Sequence, residues 1–270
     1  MKDLAPNRRA FLTGSAAVLG GCLGGPSPSD QTVTNETDGF PPRFESQPER
    51  QSIDTSPFQQ ITVDGTAVPL APIDVAYYWY RRREARFADA RGERSYEQSH
   101  ILGGVLSPAP DGGQSDPVML WPKDDRIVCY CGCPHHLSSI RAASLLQNGY
   151  EEVYVINEGF WEWHDRGYPM AGQEITTRPE LHEINGIVAP QYAGETVWAW
   201  HESSGQREAA SITDDGRYLL ELRFADITST SMILVKTPAY RVRAPLGNLV
   251  NGVLTETDGV SSRGLEQDGR

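Results

Sequence analysis

The sequence predicts an α/β domain, a largely parallel sheet with flanking helices, followed by a small all-β antiparallel sandwich. Between Phe58 and Met170 strand-like apolar runs alternate with helix-like stretches, the pattern of helices packed on a parallel sheet. Beyond Met170 the runs become short β segments split by turn dipeptides such as Ser204-Gly205 and Asp215-Gly216. With 270 residues and 39% hydrophobic residues, the chain has material for one moderate or two small cores. The expected division is a signal over 1–25, a disordered tether over 26–56, the α/β domain over 57–172, a linker over 173–184, the sandwich over 185–258 and a flexible tail over 259–270.

The N-terminal stretch NRRAFLTGSAAVLGGC sets Arg8-Arg9 before a small, apolar run and closes on Leu-Gly-Gly-Cys. It resembles a twin-arginine export signal ending in a lipobox, which implies a lipid anchor on Cys22 and a folded part at the extracytoplasmic face of the cell membrane. The run is shorter than the ~20 apolar residues a membrane span needs. Residues Pro26 to Ser56 are mostly polar, with few apolar positions to offset the entropy of ordering. Net charge is −12 and the only lysines are Lys2, Lys123 and Lys236, so arginine carries nearly all positive charge. That surface resembles those of salt-loving archaea and argues against a nucleic-acid partner, which needs basic patches.

Within the α/β region, QQITVDG is a short strand and PIDVAYYWYRRREA a helix, with Val75, Tyr78, Trp79 and Arg82 at helical spacing. RFADAR is a buried strand ending at Asp89 and Arg91, and GERSYEQSH a short helix or turn leading to His100. An acidic, glycine-rich insertion from Ala109 to Asp116 reads as a surface loop, and VMLWP as a short helix or strand. RIVCYC is an uninterrupted central strand. LSSIRAASLLQNGY is the strongest helix, capped by Ser138 or Ser139, striped by Ala142, Leu145 and Leu146, and stopped by Gly149. EEVYVIN is the next strand and GFWEWHDRGYP the last helix. The sandwich is built from six β runs and is expected to contain no helix.

The loop CYCGCPHH between strand and helix concentrates the chemistry. It lies at the C-terminal end of a central strand, where open α/β sheets bind ligands. A cysteine there faces the unpaired N–H groups and positive end of a helix, which favours its thiolate and can hold an anion. No cofactor motif is present.

Four separated blocks resemble the rhodanese family: FADARGERSYEQSHILGGVLSP, RIVCYC, the RAASLLQNGY helix, and EEVYVINEGFWEW with its Gly-Phe-x-x-Trp. The resemblance covers about Ile61 to Met170 and implies a rhodanese-like fold and sulfur transfer through a cysteine persulfide. The donor would be a small sulfur-containing anion such as thiosulfate, and the acceptor a thiol or other thiophilic group. The loop departs from the family pattern, and two registers compete. Cys131 keeps the usual Tyr-Cys strand end; Cys133 puts Ser138-Ser139 at the usual offset. Gly132, His135, His136, Ser138, Ser139 and Arg141 are the expected anion-binding neighbours, and Asp89, Arg91 and His100 the expected structural braces. The sandwich region INGIVAP to TDDGRYLLEL resembles carboxypeptidase-regulatory or transthyretin-like sandwiches; it gathers no nucleophile, acid and base, and reads as a spacer or protein-contact domain.

Three other readings stay open. The loop's cysteines and histidines suit zinc or copper(I), although paired zinc cysteines usually stand two to four residues apart and no second ligand pair follows, so no metal is expected. A Cys131–Cys133 disulfide would be strained. A rhodanese-like interaction module without catalysis is the third. Neither cysteine is followed by Cys-x5-Arg, which argues against phosphatase or arsenate chemistry.

Overall fold

A computed structural model describes residues 38–258 and the backbone of Val260 and Ser261. The predicted signal with Cys22, the first part of the tether and the end of the tail lie outside the described residues. All described residues fall in one compact unit. Its elements begin with a hairpin, β1 (Gln60–Val63) and β2 (Thr66–Ala71), turned through Asp64 and Gly65 with positive φ at both. Then follow α1 (Ile73–Arg82), β3 (Arg86–Asp89), α2 (Glu93–Gln98), β4 (His100–Ile101), β5 (Val105–Leu106) and a 3-10 turn over Pro117–Leu120. The domain ends with β6 (Arg126–Tyr130), α3 (Leu137–Gln147), β7 (Glu152–Ile156), α4 (Phe160–Asp165) and β8 (Met170–Ala171).

The main sheet runs β1-β2-β7-β6-β3-β5, with every pair parallel except the β1–β2 hairpin. β6 is central because both its faces are covered. Val128 and Tyr130 join Trp79, Tyr80, Phe87 and Trp163 beneath α1 and α4, while Ile127 and Cys129 join Ala142 and Leu145 of α3 on the other face. A strand buried on two sides has no reason to alternate polar and apolar residues, and this one does not.

The sandwich follows as β9 (His182–Ile187), β10 (Thr196–His201), β11 (Gln206–Ser211), β12 (Arg217–Leu222), β13 (Met232–Lys236), β14 (Tyr240–Pro245), α5 (Leu246–Leu249), β15 (Val253–Leu254) and β16 (Val260–Ser261). Its sheets are β11-β10-β13-β14-β16 and β12-β9-β15, closing on a core that includes Ile184, Val197, Ala199, Leu220, Leu222, Ile233, Val235 and Tyr240.

Several expectations need correction. β2 was not anticipated, because Pro69 interrupts its run; Pro69 stands opposite Gln60 in the hairpin, and the parallel pairing to β7 uses only Leu70 and Ala71. α1 buries Ile73, Ala76, Trp79 and Tyr80, leaving Val75 and Tyr78 half-covered by the preceding segment. That segment is not a free tether from residue 38 onward. Phe40 lies under the Arg86 guanidinium at 4.3 Å, Phe44 stands 5.6 Å from Tyr80, Ile53 packs on the core and Gly39 accepts the Phe87 N–H at 2.8 Å. α3 is not capped by serine: His136 holds the cap position without a side-chain cap, and Ser138 and Ser139 are buried in the first turn. The Ala109–Asp116 insertion is exposed at 110–111 and 113–115 but is not wholly a surface loop, since Ala109, Gly112 and Asp116 are buried. The sandwich has a one-turn helix, α5, and β15 pairs parallel with β9, so it is not wholly antiparallel. Its first strand starts at His182, inside the predicted linker.

The sandwich is seated on the α/β domain. A Cβ at Gly92 would come within 2.8 Å of Gly205 O, and Arg207 Nη1 donates to Ala109 O at 2.9 Å. Ala209 of β11 and Trp198 of β10 pack in one cluster with Ala90, Ala109, Cys131 and Leu137.

Candidate functional site

The chain leaves β6 at Tyr130 and enters α3 at Leu137, so residues 131–136 wrap the mouth of that helix. Phe160 N–H, opening α4, donates to Cys131 O at 2.9 Å and anchors the loop from the far side. Gly159, at φ 78°, lets the chain pass close: a Cβ there would press on Gly132 O and Pro134 N at 3.3 Å. His135 also has positive φ (64°), and its Nε2 faces Asn157 Oδ1 at 3.0 Å.

The two candidate thiols point apart. Cys131 Sγ lies at the helix mouth, 3.1 Å from Ser138 Oγ, with the backbone N–H groups of Ser138 and His136 directed at it. Its S–H donates to Cys133 O at 2.9 Å. Cys133 Sγ turns toward the sandwich and donates to Glu221 O at 3.3 Å. Cys129, inside β6, is fully buried, and all three cysteines are unbridged.

The helix mouth does not win the electrostatic contest. Burial pushes the Cys131 thiol up to about 12, and nearby Glu208 adds to it; the Ser138 hydroxyl and the two N–H groups pull down and are outweighed. Cys133 is raised too, by burial first and then by Glu208, Cys131 and Glu221 against Arg223. For His136, burial alone would lower the imidazole, but Glu208 and Glu221 hold it above its ordinary value. Cys131 is 0% exposed and Cys133 5% exposed. As arranged here, the thiol is a protonated group under a lid.

The predicted neighbours are divided. Ser138 and His136 meet Cys131 through hydroxyl or backbone N–H groups, whereas Gly132 faces Trp161, whose Nε1 would stand 3.2 Å from a Cβ there. Ser139 instead donates its hydroxyl back to the carbonyls of His135 and His136. Neither histidine ring bonds the Cys131 sulfur; His136 Nδ1 lies 3.7 Å from Glu208 Oε1. Arg141 is not an anion ligand at this thiol. It is 1% exposed, ion-paired with Asp116, and its Nε donates to Ser107 Oγ at 2.8 Å, because its long side chain reaches into the insertion loop. Asp89 and Arg91 form a buried pair 2.6 Å apart, with Arg91 also stacked over Phe160 at 4.1 Å. His100 stacks on Tyr96 and its Nδ1 meets Tyr96 O at 2.7 Å.

Residues the sequence reading missed come from the sandwich. A small pocket of about 20 Å³ beside Gly132 is lined by Arg91, Trp161, Arg207, Glu208, Arg223 and Phe224. Trp161 Nε1 is buried there without a hydrogen-bond acceptor. The β runs that carry Arg207, Glu208 and Arg223 hold no local motif, so only the packing of the two domains could reveal them.

A buried strand delivering a cysteine to a helix mouth, braced by an Asp-x-Arg pair, coincides with a family-model match over residues 76–166. The matching family is the rhodanese-like domain, to which this segment is similar. Among solved structures, the rhodanese-like domain of an Anabaena sp. protein is 21% identical, with 42% of this chain and 85% of that one covered and a TM-score of 0.37. A thiosulfate sulfurtransferase from Pseudomonas aeruginosa is 22% identical over 38% of this chain and 20% of its own, with a TM-score of 0.33. An E. coli rhodanese with anions is 21% identical over 33% of this chain and 99% of its own, with a TM-score of 0.28. The sandwich lies beyond the matched residues, and it is the sandwich that covers the loop over residues 131–136. No helix among the described residues is long and apolar enough to cross a membrane.

Proposed function

We propose that this protein is a sulfurtransferase or persulfide carrier whose working atom is Cys131 Sγ, exposed only when the sandwich moves off the loop. The observation that supports it best is the sulfur's seat at the mouth of α3, facing the N–H groups of His136 and Ser138. Once solvent reaches the sulfur, the burial that keeps it protonated is relieved and those donors favour the thiolate. The thiolate then attacks the sulfane sulfur of a donor such as thiosulfate. The donor's S–S bond breaks, sulfite leaves with the bonding pair, and Cys131 carries a persulfide whose negative terminal sulfur meets the same N–H groups. A thiolate or other thiophilic acceptor attacks that terminal sulfur and returns Cys131 to its starting state. Arg91, Arg207 and Arg223 around the neighbouring cavity give an incoming or departing anion a favourable field.

The N-terminal signal would place this chemistry at the extracytoplasmic face of the membrane, held by lipid on Cys22, and the acidic, lysine-poor composition fits work at high salt. A second reading is favoured by one observation, the zero exposure of Cys131: a non-catalytic interaction module whose loop is sealed. Intact mass after exposure of the reduced full chain to thiosulfate, at high salt, separates them. Gain of one sulfur by the wild type and Cys133→Ser, but not by Cys131→Ser, supports transfer; no gain in any of them leaves the sealed module.

A further inference from the structure

Cys133 has no part in the sulfur-transfer reading, and its surroundings suit other chemistry. One ligand atom each from Cys133, His136 and Glu221 lie within 4.8 Å of one another. The first two belong to the loop of the rhodanese-like domain, the third to β12 of the sandwich. His136 Nδ1 is out of contact with solvent and has no hydrogen-bond partner, a rare state for a buried polar atom that ligation would relieve. Glu208 Oε1 stands 3.7 Å from that nitrogen, so a second carboxylate flanks the group. Against these acids stands the Arg223 guanidinium, whose Nη1 donates to Pro179 O and whose charge favours the Cys133 thiolate.

We propose that Cys133, His136 and Glu221 form a zinc site that clips the sandwich to the rhodanese-like loop, with Glu208 or water as fourth ligand. The donor set decides the metal. One thiolate, one imidazole and a carboxylate suit a borderline ion; calcium and magnesium want oxygen alone, and copper(I) wants more sulfur. Bonds of ~2.0–2.3 Å in a tetrahedron put ligand atoms roughly 3.3–3.8 Å apart, so the three need close by only about an ångström, within the reach of side-chain rotation. Binding replaces the Cys133 S–H bond by sulfur–metal bonding and releases the proton to solvent. The clip holds β12 over the loop and so keeps Cys131 covered. The site stands on its own residues, whether or not Cys131 carries sulfur.

The test uses the full chain, reduced, stripped with chelator and titrated with cobalt(II) as a spectroscopic stand-in for zinc. The proposal expects one cobalt per chain with a thiolate-to-cobalt charge-transfer band, displaced by zinc, and a melting temperature raised by zinc. The band is lost in Cys133→Ser, cobalt affinity falls at least tenfold in His136→Gln and Glu221→Gln, and the band survives in His135→Gln and Cys129→Ala. Absence of the band in the wild type, or its persistence in Cys133→Ser, overturns the proposal. If Cys133→Ser fails to fold, Glu221→Gln decides alone, because its half-buried side chain lies at a strand surface: unchanged affinity there also overturns it.

Discussion

Replacing Arg141 by Met tests whether this residue braces the fold or serves the thiol. The guanidinium and the Asp116 carboxylate are each 1% exposed at the side chain, and Arg141 further engages Ser107 Oγ at 2.8 Å and Ser144 Oγ at 3.3 Å. Its removal leaves a buried carboxylate held only by the Val118 N–H, 3.1 Å away, and the Ser107 hydroxyl. Breaking a buried pair by deleting one partner costs about 3–5 kcal/mol. For a folded unit of this size each kcal/mol moves the melting temperature by roughly 2–4 °C, so a fall of about 6–20 °C is expected. Adding Asp116→Asn should recover most of it, because the stranded charge is then gone while the Val118 N–H keeps an acceptor. The assay is thermal unfolding at fixed high salt for the wild type, both single variants and the double. A loss under about 1 kcal/mol in Arg141→Met, or a double variant no better than that single one, would refute the reasoning. So would an unchanged melting temperature with abolished sulfur uptake, the signature of an anion ligand.

Gly92→Ala places a methyl 2.8 Å from Gly205 O, a backbone atom in the turn before β11, so that turn and the start of α2 must move apart; alkylation of Cys131 and sulfur uptake should both speed up, and unchanged rates in a folded variant would show that the lid does not open there. In the wild type, a Cys131 thiol pushed up to about 12 is only about one part in ten thousand thiolate at about pH 8; its alkylation by a small electrophile should run at least about a thousandfold slower than that of a free cysteine, and parity would contradict the burial. His100 is held below the ordinary imidazole value, by burial first and by Arg91, against the Tyr96 carbonyl and Asp89. As pH falls from about 7 to 5.5 the unfolded chain therefore takes up the proton first and stability is lost; His100→Gln should flatten the fall in melting temperature, and equal slopes would contradict it.

The α/β core was legible because its signals are local. β6 is a run with no polar interruption, α3 is followed within two residues by Gly149 at φ 85°, and the Asp-x-Arg and Gly-Phe-x-x-Trp motifs bracket a domain-sized span. β2 was hidden by Pro69, whose exclusion from ladders holds for central positions but not for its place in this hairpin. Residues 38–56 were hidden by averaging: Phe40, Phe44 and Ile53 are sparse, yet each meets an arginine or an aromatic ring already in place. The cover on the thiol was beyond any local reading. Glu208 and Ala209 sit on the run Gln206–Ser211, three polar residues followed by two alanines and a serine, and nothing in that run tells which domain its outer face will meet. The same limit applies to Cys133, whose partner Glu221 lies 88 residues away in sequence.

The most direct measurement is peptide-level mass analysis of the full chain after thiosulfate, reading which cysteine bears the added sulfur in the wild type and in Gly92→Ala. The account predicts sulfur on Cys131 in both, and more of it in Gly92→Ala. Sulfur on Cys133 or Cys129, or none in either protein, would contradict it.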